Sequence, residues 1–217
     1  MPPPITLVIA TRNKGKCAEI RELLEGYPVT IKDLTDFGPI PAVVEDGLSF
    51  DENAYKKASF TARVLGLPAL ADDSGLVVAA LGGAPGVVSA RYAGPGATDA
   101  ERCRRVLAEM TGKADRRAAF ECVISVAMPT GAALTYEGRC EGLITEEPMG
   151  ENGFGYDPIF FYPPLKKTFA QLSREEKGRV SHRGKALGEL RSEFGKVLIW
   201  IRQQSSLDEK FICSRDD

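Results

Sequence analysis

The stretch Ile5-Thr-Leu-Val-Ile-Ala10, followed by Thr11-Arg-Asn-Lys-Gly-Lys16 and then Cys17-Ala-Glu-Ile-Arg-Glu-Leu-Leu24, decides the fold class. The apolar run reads as a buried strand and the polar stretch as a turn. Cys17, Ile20, Leu23 and Leu24 then share one face of a helix that Gly26 and Pro28 end. The alternation repeats along the chain. Ser49-Phe-Asp-Glu52 is a capping-box pattern that opens a helix through about Leu65, closed by Gly66 and Pro68. Pro68-Ala-Leu-Ala71 runs into Asp72-Asp-Ser-Gly75, after which Leu76 to Leu81 reads as an apolar strand. Thr98 to Glu101 is a second capping box, with Cys103, Val106, Leu107 and Met110 behind it at helical spacing. Two β-like segments follow, Ala118 to Met128 and Ala133 to Ile144. From His182 on, Leu187, Leu190, Phe194, Val197, Leu198 and Ile201 define an amphipathic helix. Strands alternating with helices point to an α/β fold.

The chain has 217 residues, enough for one sizeable core or two lobes sharing one. The expectation is a single domain over residues 1–203 and a polar, flexible tail over 204–217. With 43% apolar residues, 28 Lys and Arg, and 30 Asp and Glu, it is neither disordered nor basic. A net charge of −2 argues against a nucleic-acid polymer as partner, because phosphate neutralisation dominates that affinity. Apolar runs fall far short of a membrane span, and Met-Pro-Pro-Pro lacks a signal sequence's basic start and apolar core, so the expected location is cytoplasmic. Five scattered cysteines without Cys-x-x-Cys spacing read as buried or incidental thiols. Residues 163–202 hold ten Lys and Arg against four Asp and Glu, a net +6 that leaves −8 elsewhere. Such asymmetry suits a site for a metal–polyphosphate, although most of these charges read equally as solvated helix faces.

Four constellations carry candidate chemistry. Thr11 to Lys16 aims backbone N–H groups and a helix N-terminus at one spot, with Lys14 and Lys16 adding charge, which suits a phosphate; the plainer reading is a strand-to-helix turn capped by Asn13. Glu45-Asp46 and Asp72-Asp73-Ser74-Gly75 supply hard oxygen ligands fit for Mg²⁺. If Asp72 and Asp73 lie on a strand, alternation lets at most one of them enter a given site; the alternative is a turn with Asx-type capping. Gly150 to Phe161 sets Phe154, Tyr156 and Asp157 among glycines, so that an aromatic could stack on a base, or else forms a turn before a core strand. Ser181-His182-Arg183-Gly184 contains the only histidine, which beside Ser181 at a helix start reads first as capping or packing, while Arg183 could donate to a 6-oxo purine.

Taken together and in order, these motifs resemble the inosine/xanthosine triphosphate pyrophosphatase family. The resemblance runs from Leu7 to about Arg202. It rests on Ala10 to Lys16, Glu45 to Ala58, Ala71 to Leu76, Gly82 to Gly86 with Ser89-Ala-Arg-Tyr92, Gly153 to Pro158, and Ser181 to Gly184. It implies a two-lobed α/β protein with a long central mixed sheet flanked by helices, an active cleft between the lobes, and a homodimer. It implies Mg²⁺-dependent hydrolysis of non-standard purine nucleoside triphosphates (ITP, dITP, XTP) to monophosphate and pyrophosphate, which cleanses the nucleotide pool. Thr11, Arg12, Asn13, Lys14, Gly15 and Lys16 would bind phosphates. Glu45 and Asp73 would hold Mg²⁺, with Asp73 also the base for the attacking water. Lys57, Ser74 and Lys177 would contact the nucleotide. Phe154, Gly155, Tyr156, Asp157, His182 and Arg183 would form the base pocket. Compared with the family's pattern, the chain after Ser205 is long.

Two other readings compete. A Maf-like pyrophosphatase acting on pyrimidine or modified nucleotides is disfavoured by the purine-pocket elements at Phe154 to Asp157 and His182-Arg183. A nucleotide sensor or nucleic-acid-binding module is disfavoured by the intact carboxylates at Glu45 and Asp73.

Overall fold

Asn13 caps α1 (Lys14–Leu23): its Oδ1 accepts the N–H of Lys16 at 3.1 Å, directly after the buried strand β1 (Ile5–Ile9). The computed structural model describes residues 4–213, apart from the side chains of Lys14 and of residues 207–213. The remaining strands are β2 (Val29–Asp33), β3 (Ala69–Val78), β4 (Arg117–Ala127), β5 (Ala133–Ile144), β6 (Phe160–Tyr162) and β7 (Lys167–Thr168). The other helices are α2 (Phe50–Leu65), α3 (Asp99–Glu109), α4 (Arg174–Val180) and α5 (His182–Cys213). One seven-stranded sheet has the order β2-β1-β3-β4-β5-β6-β7. It is mixed: β1 runs parallel to β2 and β3, whereas β6 runs antiparallel to β5 and β7. This is the α/β class that the sequence alternation indicates.

The chain divides into two compact units. The first comprises residues up to Asp73, Val123–Tyr136 and the chain from Leu187; the second comprises Ser74–Cys122 and Glu137–Ala186. The first unit has an alanine seam. Ala54, Ala58 and Ala62 recur every fourth residue on α2 and are fully buried, and Ala58 and Ala62 pack with Val8, Ala10, Ala69, Ala71 and Ala127. Methyl groups let a helix lie close on a strand, because interaxial spacing follows side-chain size. The second unit is aromatic. Phe120, Phe160 and Phe169 lie with ring centroids 4.6 to 5.8 Å apart, joined by Leu76, Val106, Met110, Tyr156 and Ile159. Such rings carry the burial area that small methyls lack.

Helix starts follow their local code. Ser49 Oγ caps α2 by accepting the N–H of Glu52 at 3.1 Å, and Thr98 and Glu101 form a complete capping box on α3. One expectation needs correction. Asp72-Asp73-Ser74-Gly75 is neither a turn nor a strand end: β3 passes straight through it to Val78, and Ala79 to Leu81 form a 3-10 turn instead of continuing the strand. The acids tolerate an inner strand because lysines neutralise them, as described below. Beyond Gln204 the described residues continue α5 to Cys213, with Ser205 and Ser206 hydroxyls donating to the carbonyls of Ile201 and Arg202 at 3.0 Å. No glycine or proline interrupts it there. Residues 214–217 lie outside the described residues.

Candidate active site

In the first unit, two lysines meet two acids. Lys16, from α1, reaches the buried Asp72 at 2.8 Å, and Lys57, from α2, reaches Asp73 Oδ1 at 2.7 Å. Neighbouring strand residues point oppositely, so the adjacent acids take different lysines. The Lys57 ammonium also lies 3.4 Å from Glu45 Oε2, so Glu45 and Asp73 converge on one cation. Glu45 arrives on a loop pinned to α2: the N–H of Gly47 donates to Asn53 Oδ1 at 2.8 Å. A Cβ on Gly47 would lie 2.6 Å from that oxygen, so close approach of the loop requires glycine here.

Burial raises the Asp73 carboxyl above its ordinary range and outweighs the neighbouring Lys57 ammonium. For Lys57, burial works against the charge, but Asp73, Asp72 and Glu45 prevail and hold it protonated. Asp73 is therefore a more basic carboxylate than a solvated one, a useful property in a proton acceptor. Among the described residues there is no cluster of three or more His, Cys, Asp or Glu able to hold a metal. Two carboxylates sharing one ammonium nevertheless suit an ion such as Mg²⁺, which takes one or two carboxylates and completes its shell with water and phosphate oxygens.

The Thr11–Lys16 turn is tightly folded. Thr11 Oγ1 accepts the N–H of Asn13 at 3.2 Å, and Arg12 donates to the carbonyl of Ile40 at 2.9 Å. Gly15 sits where a Cβ would press on Asn13 Oδ1 at 3.2 Å. Thus Asn13 caps the helix as the plainer reading holds, Lys16 is paired with Asp72, and the side chain of Lys14 lies outside the described residues.

The second unit gathers the other candidates. Lys177 is paired with Asp157 and lies over the Phe154 ring, 4.5 Å from its centroid; the Arg183 guanidinium lies 5.7 Å from the same centroid. Phe154 is 42% exposed, so a ring flanked by two cations is open to a flat ligand. Arg183 donates to Ser74 Oγ at 3.0 Å. His182 stacks on Phe120, centroids 4.7 Å apart and planes within 12°. A Cβ on Gly184 would lie 1.7 Å from the Gly178 carbonyl oxygen, and one on Gly138 2.0 Å from that of His182. Both glycines are demanded by the tight placement of the first turn of α5, which sets His182 and Arg183.

Two expected base-pocket residues are turned inward. Tyr156 is buried and donates its hydroxyl to the Ser89 carbonyl at 2.7 Å. Asp157 accepts the N–H of Phe154 at 2.9 Å as well as the Lys177 ammonium; burial raises its carboxyl, with Lys177 opposing. Of Phe154, Tyr156 and Asp157, Phe154 is the one left facing outward. Sequence reasoning missed two acids. Alternation left open which of Asp72 and Asp73 enters the site and the resemblance singled out Asp73, yet Asp72 holds Lys16. Asp99 reads as an ordinary helix-start residue, yet it accepts the N–H of Gly155 at 2.6 Å. No local signal marks Asp99, because its partner is distant in sequence.

Residues 7–193 match the sequence model of the Ham1 family. The chain is similar to the dITP/XTP pyrophosphatase of Syntrophobacter fumaroxidans, 64% identical over 200 residues, which is 92% of this chain and 86% of that one. It is also similar to the dITP/XTP pyrophosphatase of Desulfotalea psychrophila, 58% identical over 200 residues, 92% of this chain and 90% of that one. A solved structure of a HAM1 protein from Coxiella burnetii superposes with a TM-score of 0.85 at 46% identity, covering 88% of this chain and 99% of that one.

Proposed function

Because the chain belongs to the Ham1 family, we propose that it hydrolyses non-standard purine nucleoside triphosphates (ITP, dITP and XTP) at the α–β bridge, giving the monophosphate and pyrophosphate. The observation that carries this reading is the convergence of Glu45 and Asp73 on one ammonium, beside a carboxylate whose basicity burial has raised.

In this reading Asp73 orients the attacking water and takes its proton, while Lys57 and Lys16 offset charge on the phosphates. Backbone N–H groups at the start of α1, with Thr11, Arg12, Asn13, Lys14 and Gly15, cradle the phosphate chain. Glu45 and Asp73 hold Mg²⁺, which when bound stabilises charge on the phosphate oxygens. Phe154 stacks on the base, with Gly155, Tyr156 and Asp157 shaping the loop that presents it. Lys177 and Ser74 contact the nucleotide, His182 helps to form the base pocket, and the guanidinium donors of Arg183 reach the 6-oxo group. An adenine would bring its 6-amino donor against those donors, and unpaired buried donors are costly. Keeping deaminated purines out of DNA and RNA follows as the physiological role, at a cytoplasmic location and in the homodimer that the family resemblance implies.

The test is release of pyrophosphate against orthophosphate from inosine, xanthosine, adenosine and guanosine triphosphates, with and without Mg²⁺. Metal-dependent pyrophosphate from the first two alone is expected. Orthophosphate would mean a different bond, and inosine triphosphate that binds without being cleaved would mean a sensor.

A further inference from the structure

Resting on the reading of Phe154 as the base-stacking residue, we infer that Asp99 is a positioning residue for base recognition: its carboxylate fixes the Gly155 peptide group from which the Phe154 ring is held. Asp99 opens α3. One carboxylate oxygen accepts the Gly155 N–H at 2.6 Å, and the other is tied to the Arg102 guanidinium. One turn on, Cys103 Sγ donates to the Gly155 carbonyl at 3.3 Å. Burial first, and then the Asp99 charge, push the Cys103 thiol up to about 11, so it keeps the proton it donates. The first two turns of α3 therefore grip both polar groups of Gly155.

Gly155 has φ +62° and nothing within 4 Å of a would-be Cβ, so conformation rather than space demands glycine there. A residue with that freedom must be fixed from outside. On either side the loop is tied by Phe154 N–H to Asp157 and Tyr156 Oη to Ser89. The Phe154 ring is 42% exposed and lies beside two cations, so the backbone that carries it does much to set its direction. Helix-start electrostatics explains an acid at this position but not its turn toward Gly155. The capping box is already complete without it, with Thr98 N–H donating to Glu101 Oε2 at 2.8 Å. A short bond to a charged acceptor is the stronger kind.

The experiment measures KM and kcat for inosine triphosphate with Mg²⁺, and the melting temperature, for Asp99→Ala, Asp99→Asn, Glu101→Ala and Phe154→Ala. Asp99→Ala is expected to raise KM by about tenfold with kcat within about twofold. Asparagine still offers an acceptor to Gly155 N–H, so Asp99→Asn should stay within about threefold of wild type. Glu101→Ala loosens the same helix without touching Gly155 and should leave KM unchanged. A KM for Asp99→Ala no higher than that for Glu101→Ala, or a loss confined to kcat, overturns the inference. Phe154→Ala separates the two failures: if it binds as wild type, the base-stacking reading falls and this inference with it. If it binds weakly while Asp99→Ala does not, the inference alone falls.

Discussion

Among the described residues three lysines pair with buried aspartates, and two of these pairs, Lys57–Asp73 in the first unit and Lys177–Asp157 in the second, are alike in composition but different in their remaining contacts. The Asp157 side chain is 3% exposed, and one of its oxygens takes both an ammonium and the Phe154 N–H. Gly153, at φ +78°, lies so near that a Cβ there would stand 2.0 Å from that oxygen. The Asp73 side chain is 11% exposed, and its lysine is shared with Glu45, itself 41% exposed on a loop. A buried ion pair is weak evidence for stability in itself, so its surroundings must say what it is for. The enclosed pair closes a turn and presents Phe154. The shared pair brings a second carboxylate to the same ammonium, which suits the metal-holding role proposed for it.

The sharpest way to break this distinction is Asp73→Asn. Turnover of inosine triphosphate should fall by roughly a thousandfold, since a base and a metal ligand go together, while nucleotide affinity and melting temperature change little. Near-wild-type pyrophosphate release would remove Asp73 from the chemistry. Next comes Gly153→Ala, which combines a left-handed backbone with a Cβ driven into Asp157. Urea unfolding should record a loss of about 2 kcal/mol or more, and an unchanged midpoint would mean that the Asp157 turn is not tight.

The smallest effect is one of pH. Burial raises the Asp157 carboxyl above the ordinary 3.8, so the folded chain binds that proton more tightly than the unfolded chain does. Its contribution to stability is therefore present below the unfolded value and is lost as pH rises through the folded one. Comparing Asp157→Asn with wild type by urea unfolding between about pH 4 and about pH 6 should show wild type losing stability relative to the variant as pH rises. Parallel curves would mean that Lys177 and the Phe154 N–H fully offset burial.

What the sequence makes legible here is what happens within a few residues. Capping at Asn13, Ser49 and Thr98 is local chemistry, and so is the glycine-rich loop around Phe154. Asp72 and Asp73 look like a turn because charged residues in a buried strand make sense only once Lys16 and Lys57 arrive from other elements. Phe154 and Tyr156 flank one glycine with equal aromatic promise, and only the Ser89 carbonyl, distant in sequence, decides which of them turns inward. Asp99 is illegible for the same reason. A side chain's direction depends on partners that the chain brings in from afar, and the spacing of nearby letters does not record them.

The alanine seam beneath α2 has a consequence for temperature. Alanine has no rotamers to exchange, so the packing that carries Lys57 toward Asp73, with Val8 among its alanines, has few side-chain degrees of freedom to thaw. Warming can act there mainly through the backbone and through the lysine's own stem. A cluster of leucines would bury more area, but it would hold the helix through side chains that change rotamer. With methyl groups the ammonium's reach is set by main-chain geometry, and the first unit trades cohesive strength for constancy of alignment.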